Sequence, residues 1–329
     1  MSSDADAVVE AILGGQRITT ICHENPDGDT LGAALAVAGV AERLGKQAEV
    51  VAGDGVPPFL AFLPRVERVH RAPQLEPDVA VILDAGDLSR TGSVARDHAE
   101  WLGRARVVNI DHHISNPRFG DAVLVDATAA ATCEIVALLL PAFGVPLDEE
   151  LATCLMAGIV QDTHTFAHPN ATPRTLRVAA DLVAAGAPLS AINRAIYADK
   201  PYSTIVLWGR ILAGVAKRCD GRIVHASMTL AMLEASGSDP TGSEGFIDLL
   251  GLTKGADITV LLKEAEPRRI RVSVRTSDRA DAVAITREFG GGGHARAAGC
   301  TIEVPLDEAR EQLLAVCERE LARADAGSR

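Results

Sequence analysis

Through its first half the chain alternates short apolar runs with amphipathic helical patterns, and few folds can bury such an alternation. Runs at 17–22, 48–52, 79–83, 107–110 and 123–125 have the length of strands, and helical periodicity fills 31–44, 128–140 and 149–160. Strands separated by helices pair in parallel, because each crossover helix carries the chain back before the next strand begins. The expectation is an α/β domain, a doubly wound parallel sheet with helices on both faces. Hydrophobic residues make up 47% of the chain and aromatic residues only 3%, so the core is built from Ala, Val, Leu and Ile. Such residues suit helices layered on a buried parallel sheet.

The pattern changes further along. From 172 to 216 the signal is helical, apart from breaks such as Gly186-Ala-Pro188. Past 222 it becomes a strand to 228, a helix from 229, strands at 258–263 and 270–275, a Gly-rich turn, a strand at 300–304 and a helix from 306. A chain of 329 residues is long for one domain. These shifts divide it into a first domain over 1–189, a helical connector over 190–219 and a smaller α+β domain over 220–329.

A formal charge of −12 argues against a protein that tracks long nucleic acid, which needs a basic stripe to neutralise phosphates. Nucleotide substrates stay open, because bound cations supply charge that a residue count misses. The acidic N-terminus lacks the basic start of a signal peptide, and the apolar runs fall far short of the ~20 residues of a membrane helix. Six scattered cysteines without a Cys-x-x-Cys pair read as buried free thiols. A cytoplasmic protein with no membrane association is expected.

Three of the strands end in the same chemistry. The first runs into His23-Glu-Asn25-Pro-Asp27-Gly28-Asp29, another into Asp84-Ala-Gly-Asp87, and a third into Asp111-His112-His113. Ligand sites in open α/β sheets lie beyond the carboxyl ends of the strands, so these clusters can converge. A further acid, Asp162, follows the apolar helix over 151–160. Asn-Pro-Asp-Gly alone is an ordinary turn, an acid after a strand often caps the next helix, and a lone His-His pair is commonly surface polarity. The conjunction points to chemistry.

Four carboxylates brought together repel and resist ionisation. Two divalent cations would balance Asp27, Asp29, Asp84 and Asp162, and mixed carboxylate and imidazole ligation without thiolate suits Mn²⁺. Gly28 is expected to give a sharp turn that aims Asp27 and Asp29 at neighbouring ions, with a helix opening at Thr30-Leu31.

In these residues the chain resembles the DHH phosphoesterases. His23-x-Asn-Pro-Asp-Gly-Asp, Asp84, Asp111-His112-His113 and Asp162 match the family's four motifs. Arg275 followed by Phe289-Gly-Gly-Gly-Gly-His294 resembles the DHH-associated domain, so the likeness spans nearly the whole chain. Its nearest form is the short two-domain branch of oligoribonucleases (nanoRNases) and 3′-phosphoadenosine-5′-phosphate (pAp) phosphatases, some of which cleave cyclic di-AMP or its linear product pApA.

The resemblance implies a cofactor of two divalent ions, most simply Mn²⁺. His23 and Asp27 would hold one ion, Asp29, His112 and Asp162 the other, and Asp84 would bridge them. Water activated by the ions would attack phosphorus in line. His113 is a candidate for contacting the scissile phosphate or moving a proton, and Asn25 and Asp111 for orienting ligands. In the second domain Arg275, Gly291, Gly292, Gly293 and His294 would bind substrate, since backbone N–H groups of a Gly-rich turn can cradle phosphate. Eight Lys and Arg against five acids over 261–300 make that window basic, and among its cations only Arg275 is singled out by its motif. One departure stands out. After the last acid the family commonly continues Thr-Gly-Ser-Phe-Arg, whereas this chain has Thr163-His-Thr-Phe-Ala-His168, with His164 and His168 more simply read as solvated loop residues.

The implied partners are short oligonucleotides, cyclic dinucleotides or pAp, and a second copy of the chain in a homodimer. Two alternatives remain: a manganese-dependent inorganic pyrophosphatase, which shares the metal motifs, and a catalytically silent nucleotide sensor on the same scaffold.

Overall fold

The computed structural model describes residues 2–327. The chain forms two compact units, Met1–Asp199 and Lys200–Arg329. The first opens with α1 (Ser3–Gly14), capped by Ser2. Then come β1 (Arg17–Ile21), α2 (Gly28–Arg43), β2 (Gln47–Val51), β3 (Val69–His70), β4 (Val79–Leu83), α3 (Ser93–Asp97) and α4 (Ala99–Leu102). β5 (Arg106–Asp111), β6 (Ala122–Val125), α5 (Thr132–Phe143), α6 (Glu149–Asp162), α7 (Pro173–Ala184) and α8 (Leu189–Asn193) complete it.

Its six strands lie in the order β3-β2-β1-β4-β5-β6, all parallel. The expected doubly wound sheet is present. Val79, Val81 and Leu83 of β4 pack on one side, in a core shared with α1, α2, α5 and α6. Ala80 and Ile82 point to the other side, against Val94, Trp101 and Leu102. This period-two division buries β4 on both faces, which is why it reads as an unbroken apolar run. Strand order reverses between β1 and β4, the place where such sheets open a crevice at their carboxyl ends.

Three local expectations are corrected. α2 opens at Gly28 rather than at Thr30, because Asp27 is the N-cap and accepts from Asp29 N and Thr30 N. Gly28 makes no left-handed turn: a Cβ there would lie 2.6 Å from Gln161 Oε1 and 3.2 Å from the Ala157 carbonyl, so it is glycine for the sake of close helix approach. α5 begins at Thr132, four residues later than its pattern suggests; Asp126 Oδ1 accepts from Thr128 N, and Ala131 is extended. Asp162, expected just past a helix, is the last residue of α6.

The second unit contains α9 (Tyr202–Ala213), β7 (Ala216–Arg218), β8 (Ile223–Met228), α10 (Leu230–Ser236), α11 (Phe246–Gly251) and β9 (Ile258–Glu266). It ends with β10 (Arg269–Thr276), α12 (Ala282–Arg287), β11 (Gly292–His294), β12 (Ala297–Ile302) and α13 (Leu306–Gly327). The strands form one mixed sheet in the order β11-β12-β10-β9-β8-β7, with only β8 and β9 parallel. Ile270, Val272 and Val274 pack against α12 and α13 on one face. On the other, Leu207 and Ile211 of α9 and Phe246 of α11 cover Val224, Ala226 and Leu261, leaving that face more open toward β10 and β12. The Gly-rich segment is a turn only at its start, since Gly292 to His294 pair with Gly299 to Ala297. The strand expected at 300–304 runs earlier, over Ala297–Ile302. Among the described residues no single helix is long and apolar enough to cross a membrane. Cys22, Cys133, Cys154 and Cys317 are buried free thiols, and Cys219 is exposed.

α2 and α6 touch through small residues, and a Cβ on Gly32 would lie 2.3 Å from the Cys154 carbonyl. Gly32→Ala should therefore force the helices apart and cost on the order of 1–3 kcal/mol, the usual scale of overpacking. Gly209, within α9, has nothing within 4 Å of its missing Cβ, so Gly209→Ala should instead stabilise by about 0.5–1 kcal/mol. Urea midpoints of the two variants, moving in opposite directions, test this packing.

Candidate metal centre

The carboxyl ends of β1, β4 and β5 and the last turn of α6 bring six predicted residues together. Their ligand atoms fall into groups within 4.8 Å of one another: His23, Asp27 and Asp84 in one, Asp29, His112 and Asp162 in another, with Asp84, His112 and His113 as a third combination. Asp84 Oδ2 is 3.4 Å from His23 Nε2, and its Oδ1 is 3.4 Å from His112 Nε2, so its two oxygens face two different groups. Asp84 has a left-handed backbone (φ 58°), which Asp adopts more readily than most residues, at the point where β4 ends.

The two imidazoles are fixed in the tautomer this arrangement needs. His23 Nδ1 lies 2.8 Å from the Glu24 carbonyl and His112 Nδ1 3.3 Å from the Ala129 carbonyl. A carbonyl can only accept, so each Nδ1 carries the proton and each Nε2 turns to the carboxylates. His113 is held differently: its Nδ1 donates to Asp111 Oδ1 at 2.7 Å, which takes that nitrogen away from Asp84. Asp111 is fully buried and also accepts from His112 N and Asn116 Nδ2.

Asp29 has no exposed surface, yet sequence gave no hint of what surrounds it. α5 has no side-chain cap of its own; its first N–H groups, Thr132 N at 2.6 Å and Cys133 N at 2.8 Å, donate to the Asp29 carboxylate instead. The positive end of a helix thus meets a buried anion. Thr132 Oγ1 also donates to Asp84 Oδ1 at 3.1 Å. Thr132, Asn116 and Gln161, whose Oε1 accepts from Gly28 N, were all missed. The one legible signal was α5 itself, a helix that starts on Ala-Thr with no Ser, Asp or Asn before it.

Other residues singled out in the sequence have partners of their own. Asn25 is exposed, and it is its backbone N–H that donates to Asp54 Oδ2. Asp87 caps a short 3₁₀ turn through Ser89 N. His164 and His168 are exposed and stacked, with ring centroids 5.3 Å apart, beyond Asp162, whose carbonyl lies 3.3 Å from His168 Nδ1. In the second unit Arg275 pairs with Asp248 at 3.0 Å. A Cβ on Gly291 would lie 2.3 Å from the Gly299 carbonyl and one on Gly293 2.5 Å from that of Ala297, so close strand approach already requires both glycines, whereas Gly292 is open. The backbone of His294 pairs with Ala297; its side chain lies outside the described part of the structure.

Electrostatics show what the cluster lacks. Burial, and then the Asp84 charge, push Asp29 up to about 7. Burial followed by Asp29 drives Asp162 well above the usual carboxylate range. Burial opposes protonation of His23 and His112, but hydrogen bonds to Asp27 and Asp84 lift His23 to about 11, and Asp84 and Asp29 lift His112 to about 10. Burial would raise Asp84 too; its contacts with His112 and His23 hold it far below the ordinary value instead. Protein groups alone can keep so many carboxylates together only by retaining protons. A pair of divalent cations fits the same donors and removes that need.

Residues 17–159 match the DHH family, N-terminal domain, and residues 222–323 match the DHHA1 domain. The chain is 36% identical over 320 residues to the bifunctional oligoribonuclease and PAP phosphatase NrnA of Thermus thermophilus, covering 96% of this chain and 93% of that one. It is 27% identical over 283 residues to the protein of the same name from Bacillus subtilis, covering 85% and 87%. Among solved structures, an exopolyphosphatase-related protein from Bacteroides fragilis has the same fold, with a TM-score of 0.87 at 22% identity over 98% of this chain and 96% of that one. This chain belongs to the DHH family.

Metal binding requires neutral imidazoles and ionised carboxylates, while His23 and His112 on their own hold protons to about 11 and about 10. Saturation with Mn²⁺ near neutral pH should therefore release the two imidazole protons together with those retained on Asp162 and Asp29, more than two per chain, and affinity should climb as pH rises through that range. Calorimetric titrations in two buffers of different ionisation enthalpy measure the release. A value of zero would mean that metal displaces no protons from these groups.

Proposed function

We propose that this chain is a hydrolase of phosphate esters in short nucleotides. It releases 5′-mononucleotides from nanoRNA, pApA or cyclic di-AMP, and phosphate from pAp. The observation that carries the reading is the pair of three-donor groups at the switch point of the sheet, one containing Asp84 and the other facing it through His112. In this reading His23, Asp27 and Asp84 hold one divalent ion, and Asp29, His112, Asp162 and Asp84 the other, with Mn²⁺ the best match to the donor set. When bound, the ions supply Lewis acidity to the scissile phosphate and lower the pKa of attacking water.

The protein's own groups then position and exclude. The α5 N-terminus keeps Asp29 aimed inward through Thr132 N and Cys133 N. Asp111 fixes the His113 ring, so that His113 can contact the reacting phosphate or carry a proton. Arg275, Gly291, Gly292, Gly293 and His294 hold the nucleotide, and the Gly-Gly-Gly-Gly-His segment disfavours a pyrophosphatase. The chain keeps each of the six proposed ligands, which favours an enzyme over a silent sensor.

Parallel assays of pApA, pAp, a short oligoribonucleotide, cyclic di-AMP and pyrophosphate in Mn²⁺ buffer test the proposal, and turnover of pyrophosphate alone would sink it. Asp84→Asn should lower kcat by roughly 10³-fold or more, since a shared ligand governs several kcal/mol of transition-state stabilisation. Metal content per chain should fall further in that variant than in His23→Ala, which touches one group only. Arg275→Ala should raise KM for dinucleotides about tenfold while hardly affecting a small chromogenic phosphodiester, which has no second nucleotide for Arg275 to hold.

A further inference from the structure

On β9, β10 and β12 the register sets side chains in rows across the open face of the second sheet. Arg275 lies opposite Thr259 and Ala297; two residues along, Ser273 lies opposite Leu261 and Gly299; two further along, Arg271 lies opposite Lys263 and Thr301. Arg271 and Lys263 are thus a directly facing pair of like charges. Among the described residues neither side chain has a hydrogen bond or an ion pair. Their neighbours differ: Arg275 is paired with Asp248, Arg269 with Glu266, and Arg296 donates to the carbonyls of Ala280 and Asp278. Burial and the facing Arg271 guanidinium pull the Lys263 ammonium below its ordinary range, and Glu244 offsets this only in part.

Facing like charges destabilise a sheet, and a half-buried lysine beside an arginine adds desolvation to the repulsion. An anion between them would relieve both. Lys263 and Arg271 line an open cavity of about 500 Å³, together with Ser273, Thr301, Gly290 and Gly291. Hydroxyls and a glycine backbone beside two unpaired cations are the donors a phosphate needs.

We propose that Lys263 and Arg271 form a second phosphate subsite, further along the sheet face from Arg275, which takes the terminal 5′-phosphate of a short oligonucleotide. At roughly 3.3–3.4 Å per residue, alternate positions along a strand are about 7 Å apart, so the rows of Arg275 and Arg271 are separated by about 13–14 Å. That distance sets the subsite apart from Arg275, which holds the body of the nucleotide while Lys263 and Arg271 take its terminal phosphate. Two cations match a phosphate monoester, which carries up to two charges, better than an internal diester, which carries one. The inference rests on the nucleotide-hydrolase reading and narrows it: the chain is built for 5′-phosphorylated ends.

The test compares pApA with ApA, which differ only in that phosphate, on the full chain in Mn²⁺ buffer. Affinity is read as KM where there is turnover and as a calorimetric binding constant where there is none, so a failure of the hydrolase reading leaves the subsite measurable. The wild-type chain should favour pApA by about tenfold or more, the scale of one charge-assisted hydrogen bond. Lys263→Gln combined with Arg271→Gln should abolish that preference by weakening pApA alone, with affinity for ApA unchanged and the unfolding midpoint unchanged or raised. Arg271→Lys, which keeps the charge, should retain much of the preference. Equal affinity of the wild-type chain for the two ligands, or a preference that survives in the double variant, overturns the subsite.

Discussion

Mutual repulsion among buried carboxylates is the condition around which the first unit is arranged. Asp29 and Asp84 are almost wholly buried, and Asp27 and Asp162 stand beside them. Each raises the cost of ionising the others, and desolvation adds to that cost. The surroundings answer it with positive potential from imidazoles, backbone N–H groups and a hydroxyl. Two imidazoles locked by backbone carbonyls face Asp84, a helix N-terminus faces Asp29, and a threonine hydroxyl donates to Asp84. In the proposed function divalent cations complete that balance, and the charge the protein cannot supply becomes the charge that activates phosphate.

Close packing of small residues makes the arrangement possible. α2 and α6 approach until Gly28 and Gly32 meet the backbone of Ala157 and Cys154, and Gly158 leaves room for Asp29 itself: a Cβ there would lie 2.6 Å from its carboxylate. Asp29 at the start of α2 and Asp162 at the end of α6 reach the same group for that reason. The second unit uses a different device. Its sheet buries one face under α12 and α13, and on the other, past the part that α9 and α11 cover, leaves polar and cationic side chains, where Arg275, Arg271 and Lys263 lie in register rather than scattered.

Local pattern determined much of this. The run 79–83 is β4 to the residue, because a strand buried on both faces can be nothing but apolar. The strand-end acids and histidines were legible because a parallel sheet gathers its carboxyl ends on one edge whatever the loops do. Tertiary structure decided the rest. Gly28 looked like a turn and proved to be a helix contact, since its constraint comes from Gln161 and Ala157, more than a hundred positions away in sequence. The capping of α5 by Asp29, the tautomers of His23 and His112, and the facing of Lys263 with Arg271 likewise depend on partners brought close only by folding. Sequence carries the identity and periodicity of side chains, and so it determined the sheet and the chemistry at its edge. Which oxygen meets which N–H, and which charge is left without a partner, are properties of distances, and those exist only once the helices and strands have packed.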